Sequence, residues 1–342
     1  MKFSAILEPA GRDDWSSVSE NEYFGWHDSD GIDAPTDAEL DQFYTHLLDR
    51  VQLNPSKSEA VKYVAGLSKG DNVRTYSKNI LLYQVALRAV DPDCLNQGAY
   101  GFCGPTAILY DFAKRWPVKY AECVNDLHCR RVARLRVGNG ESLNLKADAK
   151  FDTDYGAAGL VRTQIGPADY VVLHAIRRAA EEDNVGSFTA ANPGQESEAT
   201  KPSVMVDLLR RAGYRDVTDK TIWEGPNAKP DKKFTIDAMI GECAALTRSS
   251  DGPTVIVLSH PWLSVLAKTG GVEKWNDFKY PGGGNKKEPD KLADLHWICV
   301  KSLQYGSPLV GMKFMTWGEN LMGQYQRDEF KHCFYGYISA RP

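Results

Sequence analysis

The feature that most constrains this chain is a change in the spacing of its apolar residues. In the first two thirds they recur three and four apart, the period of a helix with one buried face. In the last third they gather in short β-branched runs, the mark of strands. Residues 36–51 set Leu40, Phe43, Leu47 and Val51 at helical spacing, with Thr36 or Asp37 as the N-cap. Helices are expected again over 58–67 and 77–90, until Asp91-Pro92-Asp93 breaks the pattern. The spacing predicts a helix over 105–116, with Ile108, Leu109 and Phe112 inward and Pro117 closing it. Two more follow over 170–182 and 203–212, the latter stopped by Gly213. Residues 254–258, 295–302, 309–316 and 334–340 read as strands, whereas 137–168 and 268–290 show no clear period. Helices first and a largely antiparallel sheet later define an α+β chain.

With 342 residues, 42% of them hydrophobic, the chain has enough apolar surface for one large core or two modest lobes. Lys+Arg 41 against Asp+Glu 45 leaves a net charge of −4, which gives no electrostatic footprint for nucleic acid or an anionic membrane. Arg130-Arg131 and Lys286-Lys287 are short and read as solvated surface. The chain has no apolar run of the roughly 18 residues needed to span a bilayer. The apolar stretch from Phe3 ends at Glu8, too soon for a secretory leader. A cytoplasmic protein as synthesised is expected, with export by a signal-independent route left open. The seven cysteines are scattered and odd in number, which favours reduced thiols. Cys123, His128 and Cys129 have a spacing that suits no common zinc module, so neither a metal nor another cofactor is expected.

Chemistry concentrates in Gln97-Gly98-Ala99-Tyr100-Gly101-Phe102-Cys103-Gly104-Pro105. A thiol attacks as thiolate, and the positive end of a helix favours that charge. Gly101 and Gly104 permit sharp turns, and Pro105 suits a first helical turn, so Cys103 is expected at a helix start. Attack on a carbonyl places negative charge on oxygen, which the Cys103 N–H and the Gln97 side-chain amide are placed to receive. A lone Cys-Gly-Pro is in most chains only a capped helix start; the glutamine six residues upstream is what raises it above that.

This segment resembles the nucleophile loop of papain-like cysteine peptidases, and its Cys-Gly-Pro is similar to their bacteriocin-processing branch. The resemblance is local, covering about a dozen residues here and some thirty near the C-terminus. It implies a helical lobe carrying the nucleophile, packed on a mainly antiparallel sheet that carries a histidine. Leu295-His296-Trp297-Ile298-Cys299-Val300 alternates as a strand should, and His296-Trp297 resembles that branch's histidine strand. His296 is thus the expected base, forming a thiolate–imidazolium pair with Cys103. His260 is its rival. Trp317-Gly318 resembles the end of the family's Asn-Ser-Trp-Gly motif, but Met315 stands where its asparagine would. Thr316 is therefore expected to accept the imidazole Nδ1–H through its hydroxyl, with Glu319 and Asn320 as substitutes.

The implied organisation is an N-terminal helical segment over 1–92 and a papain-like catalytic domain over 93–342. The implied activity is thiol protease or amidase, acting on a protein or peptide through a Cys103 thioester. Glutamine deamidation and transglutamination use the same dyad and remain open. A soluble chain bearing such a centre is similar in style to bacterial effector toxins. The competing class, favoured by Met315, is an impaired papain-like module that binds a protein partner. The glycine-rich stretch 281–287 is either a flap over the substrate or an ordinary surface loop.

Overall fold

The computed structural model describes residues 34–67, 69, 76–97, 101–138, 140–147, 165–181, 200–222, 235–249, 251–269, 295–316 and 319–342. The expected flap at 281–287, the Trp317-Gly318 pair and most of the N-terminal segment before α1 lie outside these residues. The described residues form two compact units.

The first unit takes in the described residues up to Leu135, those from Ser142 to Glu181, and Glu319. Helix α1 (Asp37–Val51) starts where the Thr36 hydroxyl accepts the Glu39 N–H. The Glu39 carboxylate accepts the Thr36 N–H in return, at 2.8 Å, so two backbone donors of the helix start are satisfied together. Leu40, Phe43, Leu47 and Val51 are buried, as their spacing predicts. Helix α2 (Pro55–Ala65) begins earlier than its apolar period suggests. The Asn54 side chain caps it and Pro55 needs no N–H there. Helix α3 (Lys78–Val90) ends at Asp91, followed by one 3₁₀ turn over Pro92–Cys94.

Helix α4 (Cys103–Arg115) is followed after Trp116 by α5 (Pro117–Arg130). Pro117 therefore does more than close α4: it opens a helix that the apolar pattern had not marked. The short hairpin of β1 (Val132–Leu135) and β2 (Leu143–Lys146) was also unforeseen, since four residues are too few for a period to stand out. Helix α6 (Pro167–Glu181) is buried on nearly every side and packs on α3, α4, α5 and β2.

The second unit takes in Arg136–Glu141, the described residues from 200 to 316, and Asn320–Pro342. Its elements are α7 (Pro202–Arg211), β3 (Arg215–Asp219), α8 (Ile236–Leu246), β4 (Thr254–Ser259) and α9 (Trp262–Thr269). They continue with β5 (His296–Tyr305), β6 (Leu309–Thr316), β7 (Glu319–Gln326), α10 (Arg327–Cys333) and β8 (Phe334–Arg341). The sheet runs β3-β8-β4-β5-β6-β7, and the ladders β3–β8, β8–β4, β4–β5 and β5–β6 are antiparallel. The α+β class expected from the change of period is therefore the class observed. One face of the sheet, with Val255, Val257, Ile298, Val300, Met312 and Phe314, packs on Met239, Ile240 and Cys243 of α8 and Trp262, Leu263 and Leu266 of α9. Gly213 ends α7 at φ +92°, and a Cβ there would lie 2.7 Å from the Val137 carbonyl oxygen. The glycine expected as a helix stop is thus required twice over.

Candidate functional site

Cys103 is the first residue of α4, two places earlier than the period suggested. The N-terminal turn carries no acidic side chain, so the positive helix end is not offset there. The thiol is 8% exposed. Burial pushes the Cys123 thiol up to about 12, and raises Cys243 and Cys333 also. Such thiols are inert as nucleophiles at neutral pH.

Gln97, like Cys103, belongs to the first unit and is buried. Its flank is firmly held. The preceding Asn96 N–H donates to Asp169 Oδ2 at 3.0 Å, and Leu95 is wholly buried. Asp169 Oδ1 accepts from Arg88 Nε at 2.6 Å, and neither side chain of this pair reaches solvent. Phe102, directly before Cys103, meets the ring of Tyr170 edge-on, with centroids 6.1 Å apart. Neither Asp169 nor Arg88 was singled out from sequence. An acid in the first turn of a helix ordinarily reads as a solvated residue favoured by the dipole.

His296 and Thr316 belong to the second unit, and there they meet: the imidazole Nε2 and the Thr316 hydroxyl share a short hydrogen bond. Strand register explains it. Cys299 pairs with Met315 and Val300 with Phe314. One further step sets Thr316 beside Ile298, two residues along β5 from His296 and on the same face. Met315 shares the face of Cys299, on the opposite side of the sheet. The nitrogen engaged is Nε2, not the Nδ1 expected. Asn320 is exposed on β7, and the Glu319 side chain lies outside the described residues.

Burial pushes the His296 imidazole down from its ordinary value to about 3. Such a shift favours the neutral imidazole at neutral pH. Ser259, directly opposite on β4, donates its hydroxyl to the His296 carbonyl at 3.4 Å. His260, the rival base expected from sequence, lies just after the end of β4. Its Nδ1 accepts the Trp262 N–H at 3.1 Å and so caps the start of α9. His128, the histidine between Cys123 and Cys129, is buried with its Nδ1 on the Tyr76 hydroxyl at 2.9 Å.

Among the described residues no group of three or more His, Cys, Asp or Glu side chains is arranged to hold a metal. No described helix is long and apolar enough to cross a membrane. Comparison with family models, with curated proteins and with solved structures finds no match for this chain.

Proposed function

We propose that the chain is a cysteine-dependent acyl-transfer enzyme, a thiol protease or amidase of papain-like design acting on a protein or peptide amide. In this reading Cys103 is the nucleophile, Gln97 the oxyanion donor and His296 the base. The observation that carries this is the His296–Thr316 hydrogen bond. The bond fixes the imidazole through Nε2, and burial favours its neutral form, the form a general base starts from. The imidazole takes the Cys103 proton as sulfur attacks the carbonyl carbon. The C=O becomes C–O⁻ before the Gln97 amide, and the imidazolium then protonates the leaving amine. Water resolves the thioester. The competing reading, a non-catalytic papain-like module that binds a protein partner, rests on Met315 standing where an orienting asparagine would be.

Alkylation by iodoacetamide, followed by peptide mapping, tests the proposal. Cys103 should react at pH 6 roughly 10²-fold faster than in His296→Ala, the span of an effective general base. Exposed Cys129 should react equally in both proteins. A Cys103 that reacts no faster than free cysteine, or is unmoved by His296→Ala, overturns it.

A further inference from the structure

The first turn of α6 touches both arms of the Gln97–Cys103 loop through two consecutive residues. Asp169 takes the N–H of Asn96, the residue before Gln97, at 3.0 Å. Tyr170 meets Phe102, the residue before Cys103, ring edge to ring face at 70°. All four are in the first unit. The turn itself is fastened to α3 at two points. Gln84 Oε1 accepts the Ala168 N–H at 3.1 Å, and Arg88 Nε donates to Asp169 at 2.6 Å. Gly166, just before the helix, leaves room for the Gln84 side chain: a Cβ there would stand 2.4 Å from Gln84 Nε2.

A wholly buried ion pair is a poor source of net stability, because removing both charges from water offsets most of their attraction. Packing alone therefore gives little reason for Asp169. What it adds is a fixed, charged acceptor whose second oxygen holds one backbone N–H, adjacent to the proposed oxyanion donor. An apolar residue would fill the space without doing so.

We infer that Asp169 and Tyr170 are positioning residues that hold the Gln97 amide and the Cys103 thiol at a set separation across the loop. The inference rests on the oxyanion role proposed for Gln97. A donor misplaced by about an ångström forfeits most of its effect, while the sulfur keeps its intrinsic reactivity.

Two thiol reagents separate these contributions. p-Nitrophenyl acetate is attacked at its carbonyl by Cys103 Sγ. The carbonyl oxygen passes through C–O⁻, nitrophenolate leaves with the bonding pair, and an acetyl thioester remains. Iodoacetamide loses iodide directly to the same sulfur and forms no oxyanion. Asp169→Asn should therefore slow acylation of the full-length chain at least tenfold, within the loss expected for a donor. Iodoacetamide labelling of Cys103 should change by less than about twofold, since it needs no donor. In a Gln97→Ala background Asp169→Asn should add less than about twofold to the acylation loss, because the donor it places is already gone.

Tyr170→Leu, which keeps apolar volume and removes the ring, should show the same selective loss, and carries the test if Asp169→Asn does not fold. Equal losses in both reactions, full additivity with Gln97→Ala, or failure of both variants to fold would make the two residues structural and overturn the inference. If Gln97→Ala itself leaves wild-type acylation unchanged, the proposed function fails first. If Gln97→Ala matters and Asp169→Asn does not, only the positioning inference fails.

Discussion

His296 should leave a measurable signature in the stability of the second unit. An unfolded histidine titrates near 6.5, whereas burial holds His296 at about 3 in the folded chain. Between those values the unfolded chain binds a proton that the native chain does not. Stability therefore rises with pH across that window. Its contribution is complete above about pH 6.5 and is lost on acidification, at about 1.4 kcal/mol per pH unit, until the folded ring protonates near pH 3. From pH 7 to pH 5 the loss due to this residue is about 2 kcal/mol. His296→Asn removes the titrating ring and keeps a polar side chain beside Thr316. Urea unfolding of both proteins at pH 7, 6 and 5, followed through buried Trp262 and Trp297, gives the comparison. Carboxylates titrate in both chains and cancel in the difference. The stability difference between wild type and variant should shift by about 2 kcal/mol in favour of the variant as pH falls. Parallel losses, with the difference constant to about 0.5 kcal/mol, would refute the buried neutral ring.

Two further substitutions probe the elements that set the site. Thr316→Val removes the partner of the buried His296 Nε2 and should cost roughly 1–3 kcal/mol in urea unfolding; it should also slow acylation of Cys103 by p-nitrophenyl acetate, and an unchanged rate would remove Thr316 from the proposed mechanism. Gly213→Ala meets both a left-handed backbone and a 2.7 Å approach to the Val137 carbonyl. A loss above about 1 kcal/mol is expected from the backbone alone, and a melting curve identical to wild type would contradict the described turn.

Much of the architecture was written in local patterns, and what escaped was set by partners distant in sequence. Leu40, Phe43, Leu47 and Val51 announce α1 because four side chains on one stripe leave little choice of conformation. The strand at 309–316 declared itself through β-branched and apolar residues at its full length. Helix α5 escapes the sequence pattern because Pro117 suits a terminator and a first turn equally, its absent N–H not being needed in the latter. The β1–β2 hairpin is too short to show alternation. Within the site, the loop chemistry placed Cys103 at a helix start, but the atom of His296 that Thr316 engages depends on β5–β6 register, which single-strand periodicity does not contain. Asp169 was invisible for the same reason: its partners Arg88 and Asn96 are 81 and 73 residues away.

The β5–β6 ladder holds one offset, between Val300 and Ser302, where two steps along β5 span one step along β6. On the turn side Tyr305 faces Val310 and Ser302 faces Lys313; beyond the offset Val300 faces Phe314. Counted back unbroken from the turn, Val300 would instead face Met315, and a thioether would stand on the imidazole's side in place of an oxygen. The offset thus works as a reading-frame marker for the sheet. A single codon gained or lost between it and the turn, if the ladder follows, would exchange the two neighbours beside His296 while leaving His296, Met315 and Thr316 themselves unchanged.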